Sequence, residues 1–111
     1  MKKKIAALIV TGAALSTAMI DVQAAAIIGT RSCGEWVANN RKAGFAQTSD
    51  HTWLLGFLSG LALGLEKDFL KGMDAPSLYL WVDNYCQANP LQRVDDAGKD
   101  LARELIAKKR L

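Results

Sequence analysis

Cys33, Cys86 and His51 are the side chains with the widest chemical reach in this 111-residue chain, because it holds only two cysteines and one histidine. A Cys-His nucleophilic pair needs a free thiolate, and a zinc site needs ligands at short, repeated spacings. Neither pattern is present: the cysteines lie far apart, with no Cys-x-x-Cys spacing to lower a thiol pKa. An even pair of cysteines in an oxidising compartment reads instead as a structural Cys33–Cys86 disulfide, and closing so long a loop contributes roughly 4 kcal/mol on the chain-entropy model. The run Gly56-Phe57-Leu58-Ser59-Gly60 comes near a nucleophile elbow, but its serine is offset from the Gly-x-Ser-x-Gly position and falls inside a helical pattern. Carboxylates that could pair for hydrolysis, Asp95 with Asp96 or Asp83 with Asp100, are read as solvated surface groups, since neighbouring helical residues point about 100° apart. No Gly-rich phosphate loop follows a strand. These residues therefore point to no enzyme, no metal and no cofactor.

Aromatic residues carry the other possibility, which is binding. Trp36, Trp53, Trp81 and Phe57 fall on apolar stripes and are expected in the core. Phe69 and Tyr79 flank the segment from Lys67 to Ser77, off the main stripe. An exposed aromatic beside Asp68, Lys71 and Asp74 would suit a protein-binding edge, so Phe69, Asp74 and Tyr79 are the candidate binding residues.

The elements that must position these residues follow an address label. Lys2-Lys3-Lys4, the apolar Ile5 to Ile20 and the small residues around Val22-Gln23-Ala24 form the three regions of a secretory signal peptide. Cleavage is expected after Ala24, with Ala26 as the alternative, giving a periplasmic or secreted protein in which residues 1–24 are removed and 25–111 form one domain. The apolar stretch is short for a membrane span and is broken by Thr11, Gly12, Ser16 and Thr17, so stable membrane insertion is not expected. With Lys2, Lys3, Lys4 and Asp21 set aside, eleven basic and ten acidic residues remain, a net charge of about +1 that leaves no basic stripe for nucleic acid. A domain of roughly 87 residues has a marginal core, and a disulfide helps it.

Apolar periodicity predicts four helices and no sheet. Ser32 and Glu35 form a capping box for a first helix over Cys33 to Arg41. Gly44 and the polar run Gln47-Thr48-Ser49-Asp50 are expected to break the pattern and to cap a second helix from His51 to Lys67. That helix is apolar on nearly every side and is expected in the middle of the fold. Gly56, Gly60 and Gly64 recur every fourth residue along it, the spacing of a ridge against which another helix packs closely, since each glycine costs up to ~1 kcal/mol of helix propensity against alanine. Asp74 or Ala75 caps a third helix with Pro76 in its first turn, and Leu78, Trp81, Val82, Tyr85 and Cys86 form its inner stripe. Asn89, Pro90 and Gln92 match the N-cap, N1 and N3 positions of a fourth helix whose inner face is Leu91, Val94, Gly98, Leu101 and Leu105. The fold class is an all-α compact bundle of about four helices with one disulfide.

An early Cys, an apolar middle helix and the late run Tyr85-Cys86-Gln87-Ala88-Asn89-Pro90 before an amphipathic helix resemble the small periplasmic HdeA/HdeB acid-stress chaperones. The helix-Pro-helix ending from Tyr85 to Leu105, with Gly56-Phe57-x-x-Gly60, also resembles Rap/Tai-type immunity proteins that neutralise secreted toxins. The first resemblance implies a protective protein whose partners are unfolded clients. In that case acid would carry the net charge from about +1 toward +12, counting His51, and self-repulsion would open the helices or a homodimer. The second implies a preformed surface for one toxin. A third class, an accessory subunit of an envelope assembly, needs only a stable patch. All three describe a non-enzymatic, exported, protein-binding domain.

Overall fold

The computed structural model describes residues 25–111, so the expected signal peptide lies outside the described residues. Four helices follow in order: α1 Cys33–Asn40, α2 Phe45–Leu65, α3 Ala75–Ala88 and α4 Val94–Lys109. The described residues contain no strand, only an isolated antiparallel bridge between Ser32 and Arg93. Helix α1 packs on α2 and α3, and α4 packs on α2 and α3. A disulfide joins Cys33 to Cys86 across 53 positions, linking the first residue of α1 to the last turn of α3.

Local chemistry fixes most boundaries. The Ser32 hydroxyl accepts the Glu35 N–H at 3.1 Å to start α1, and the Asp74 carboxylate accepts the Ser77 N–H at 2.7 Å to start α3. Two expectations are corrected. Helix α2 begins six residues earlier than expected, because Gln47 and Asp50 of the polar run face inward on it and the run is not a break. Gln47 donates to the carbonyl and side-chain oxygens of Asn40, and Asp50 accepts from Asn39. Gly44 ahead of it has φ 155° and ψ −169°, a region open essentially to glycine alone.

Asn89 closes α3 and does not open α4. Its backbone N–H and side-chain amide both donate to the Tyr85 carbonyl. Gln92 and Val94, on either side of Arg93, instead pair with the start of α1 and the residues before it: Cys33 N–H donates to Gln92 O and Val94 N–H to Arg31 O, each at 2.9 Å. Helix α4 therefore starts at Val94, where the Arg93 N–H donates to the Asp96 carboxylate at 3.1 Å. Leu91, expected on the inner face of this helix, is 97% exposed.

The core is built from Trp36 of α1, Leu54 and Leu58 of α2, Leu78 and Val82 of α3, Val94, Ala97 and Leu101 of α4, and Phe69 from the α2–α3 connection. Burying each such Leu or Phe side chain stabilises the fold by roughly 1.5–3 kcal/mol. Trp53, Phe57 and Trp81 are half-buried at its margin. Helix α2 is not enclosed: Leu63 is 81% exposed, and a Cβ built on Gly56, Gly60 or Gly64 would meet nothing within 4 Å. No helix of the described chain packs on this ridge. The close approach lies at Gly98 of α4, where a Cβ would stand 2.9 Å from the ring of Phe57.

The two kinds of glycine predict opposite signs. Gly98→Ala should destabilise the fold by about 1–3 kcal/mol, because Phe57 must move off its stack with Trp53. Gly60→Ala should stabilise it by up to ~1 kcal/mol through helix propensity alone. Urea unfolding midpoints of the two variants check the pair.

Candidate functional site

A non-helical strap, residues 25–32, leads into α1 and is tied to the bundle at three points. The Trp53 indole N–H donates to the Ile28 carbonyl at 2.9 Å. Gly29, at φ 81°, is required beside it, since a Cβ would lie 3.0 Å from the indole nitrogen. The other two ties are buried carboxylates, each about 4% exposed. Asp50 of α2 accepts from Arg31 Nε at 3.0 Å and from Asn39 Nδ2 at 2.8 Å. Asp95 of α4 accepts from the Thr30 hydroxyl at 3.0 Å and Arg93 Nε at 2.9 Å, with Lys99 Nζ at 3.4 Å. The Asp95 N–H donates back to the Thr30 hydroxyl at 3.2 Å. Burial pushes the Asp95 carboxyl up, but hydrogen bonds from Thr30 and Arg93 and the nearby cations outweigh it and hold it below the usual range.

This placement corrects the expectation that Asp95 is solvated. Asp96, Asp100 and Asp83 are half-buried. Asp100 pairs with Arg103, and Asp96 lies 3.7 Å from Lys99. A polar cleft of about 630 Å³ between the start of the strap and α4 is walled by these same paired charges.

Beside the Asp50 tie, Asn40 organises the α1–α2–α3 junction. Its amide donates to Asp83 at 3.2 Å, which leaves its carbonyl oxygen to accept from Gln47 at 3.2 Å and from His51 Nε2 at 2.8 Å. The His51 ring therefore carries a proton on Nε2. It stacks on Tyr79 at 3.8 Å and tilts against Trp36 at 5.4 Å. Burial lowers the His51 pKa, against the opposing pull of Asp50.

Of the residues expected at a binding edge, Phe69 is corrected outright: it lies in the core with no exposed surface. Tyr79 is half-buried under the His51 stack. Asp74 is at the surface as the α3 cap, and the hydrogen bonds from Ser77 hold its carboxyl low. The three do not form one exposed aromatic edge. Cys33 and Cys86 are both buried and joined. Among the described residues no three His, Cys, Asp or Glu side chains group as metal ligands, and no helix is long and apolar enough to cross a membrane.

An apolar opening lies along the bare ridge of α2. Gly56, Gly60 and Gly64 floor a cleft of about 370 Å³ whose sides are Phe57, Leu61 and Leu65. The neighbouring cleft, about 360 Å³, is bordered by Ala26, Ile27 and Ile28 of the strap and by Thr52, Trp53, Gly56 and Phe57. The two share Gly56 and Phe57, so the strap flanks one end of a surface that continues open along α2. No protein-family model, curated protein or solved structure matches this chain.

The polar ties give stability a definite pH dependence. A histidine with a lowered folded pKa binds fewer protons folded than unfolded, so stability falls as pH drops below about 6.5, the unfolded value. Asp95 acts in the same direction in a lower window: its contribution is present above about pH 4 and is lost as pH falls through its depressed folded value. His51→Gln should flatten the upper window. Asp95→Asn should cost about 1–3 kcal/mol at neutral pH, a cost that shrinks as pH falls below about 4. Chemical denaturation of each variant across pH checks both statements.

Proposed function

We propose that this chain is a non-enzymatic, exported, protein-binding domain that protects unfolded polypeptides under acid stress, in the manner of the HdeA/HdeB chaperones it resembles. The observation that carries the reading is that two buried carboxylates on different helices, Asp50 and Asp95, grip consecutive residues of one strap, Arg31 and Thr30. Protonating Asp95 removes its ion pairs with Arg93 and Lys99 and its hold on Thr30. What the strap flanks is apolar: Trp53, Phe57 and the open cleft of α2. Acid therefore acts on the strap that lies against Trp53 and Phe57, while the disulfide, which does not titrate, limits the opening.

The chain also carries its apolar cleft open in the folded state, which favours a second reading, a Rap/Tai-type immunity protein with a preformed surface at neutral pH. One comparison separates them. At about pH 2 to 3 the protective protein should lose near-UV circular dichroism and suppress aggregation of an acid-denatured client, and at neutral pH it should do neither. Unchanged tertiary structure in acid without client protection rejects the chaperone, and tight neutral-pH capture of a single toxin enzyme establishes the immunity reading.

A further inference from the structure

At the end of the bundle where α2 and α4 terminate, cations gather that the fold does not pair. The Lys109 ammonium donates to the Lys71 carbonyl, which holds the last turn of α4 against the connection that follows Leu65 of α2. Lys67, Lys71, Lys108, Lys109 and Arg110 therefore share one end of the molecule, and Lys71, Lys108 and Arg110 are exposed there. Among the described residues none of these five makes an ion pair, whereas Arg31, Arg93, Lys99 and Arg103, four of the six cations elsewhere in 25–111, each do. Against them stand Glu66, Asp68 and Asp74, the last engaged in capping α3. The side chains of this end sum to about +2, while the rest of residues 25–111 sums to about −1. A chain that is nearly neutral in total is thus polarised.

Aliphatic side chains stand out among these cations. Leu63 is 81% exposed, Leu65 47% and Leu111 46%, the first two in the last turn of α2 and the third just beyond α4. Phe69, the aromatic ring of the connection, is wholly buried, so it offers no platform on which a nucleic-acid base could stack. Unpaired cations set around exposed leucines complement a partner that is anionic at its face and apolar just beneath it.

We propose that this end of the bundle docks peripherally on an anionic phospholipid bilayer. Lys71, Lys108 and Arg110 meet the headgroup phosphates, and the exposed leucines enter the boundary with the acyl chains. The contact is with the membrane surface, since no helix among the described residues is long and apolar enough to cross it. The proposal does not depend on the acid-protection reading, because neither the strap nor Asp50, Asp95 or His51 takes part.

The test sediments the whole mature protein, residues 25–111, with sucrose-loaded vesicles at neutral pH in about 0.02 M salt. One set is phosphatidylcholine alone, and the other is phosphatidylcholine and phosphatidylglycerol in about equal parts. The expected result is binding to the anionic set only, released by about 0.5 M salt. Lys108→Gln with Arg110→Gly should weaken it at least about tenfold, since each cation at the surface contributes roughly fivefold. Arg110 closes α4 at φ 57°, a conformation that glycine adopts freely, so thermal melting should show Arg110→Gly no less stable than the parent. Leu63→Ser, at an exposed position, should weaken binding about tenfold with the charge unchanged. Lys42→Gln removes an equal charge from the α1–α2 turn, away from this end, and should alter binding by less than about twofold. No sedimentation with the anionic vesicles overturns the proposal, as does full binding by Leu63→Ser. A loss in Lys42→Gln equal to that of the double variant also overturns it, because net charge and not this surface is then at work. So does a single-stranded oligonucleotide that displaces the protein from the vesicles at equal phosphate concentration, since the patch then serves a phosphate chain.

Discussion

The Cys33–Cys86 cross-link is the constraint around which the other contacts are arranged. It fixes the first residue of α1 to the last turn of α3, and the bridge between Ser32 and Arg93 lies directly beside it. The strap, both helix ends and the α3–α4 connection therefore converge on one point. A loop of 53 residues closed by such a bond is worth about 4 kcal/mol in restricted unfolded-state entropy. That is a large part of the roughly 5–15 kcal/mol typical of a whole domain. With the backbone held there, the elements away from the cross-link can be stabilised by weaker and more conditional contacts.

Those conditional contacts are ionic, and their placement matters more than their number. Surface pairs such as Arg103 with Asp100 contribute little at any pH. Asp50 and Asp95 differ because each is buried and its partners come from separate segments: strap and α1 for Asp50, strap, connection and α4 for Asp95. His51 adds a group whose neutral form is the one the junction accommodates, between the Asn40 carbonyl and the Tyr79 ring. In the proposed reading, acid loosens the strap through Asp95 and the α1–α2–α3 junction through His51, while the covalent tie keeps the helices in one connected unit.

The helices were readable in the sequence because apolar period and caps agree, at Ser32 for α1 and at Asp74-Pro76 for α3. The disulfide followed from the even cysteine count and the expected export. The failures share one cause, which is polar groups performing internal work. Asp50 stands in register with Leu54 and Leu58 at four-residue spacing, the signal that it faces inward, but its polarity made the segment look like a loop. Asp95 follows the buried Val94 and precedes Lys99 by one turn, and its burial depends on Thr30, 65 positions away. Nothing local announces such a partner. Asn89-Pro90 satisfied the pattern of a helix start, yet the residues after it were claimed by backbone pairing with the strap, a long-range preference that capping rules do not contain.

The glycine ridge is the most informative of these differences. A helix with three glycines on one face should sit against a neighbour, since the propensity lost must be recovered by close packing. Within the described chain the neighbour is missing, while the one glycine that does permit close contact, Gly98, lies on another helix. Helix α2 is held in the bundle by Asp50, Leu54 and Leu58 on its other side, so folding alone does not require Gly56, Gly60 and Gly64. Alanine at these positions would make a more stable helix and a shallower surface.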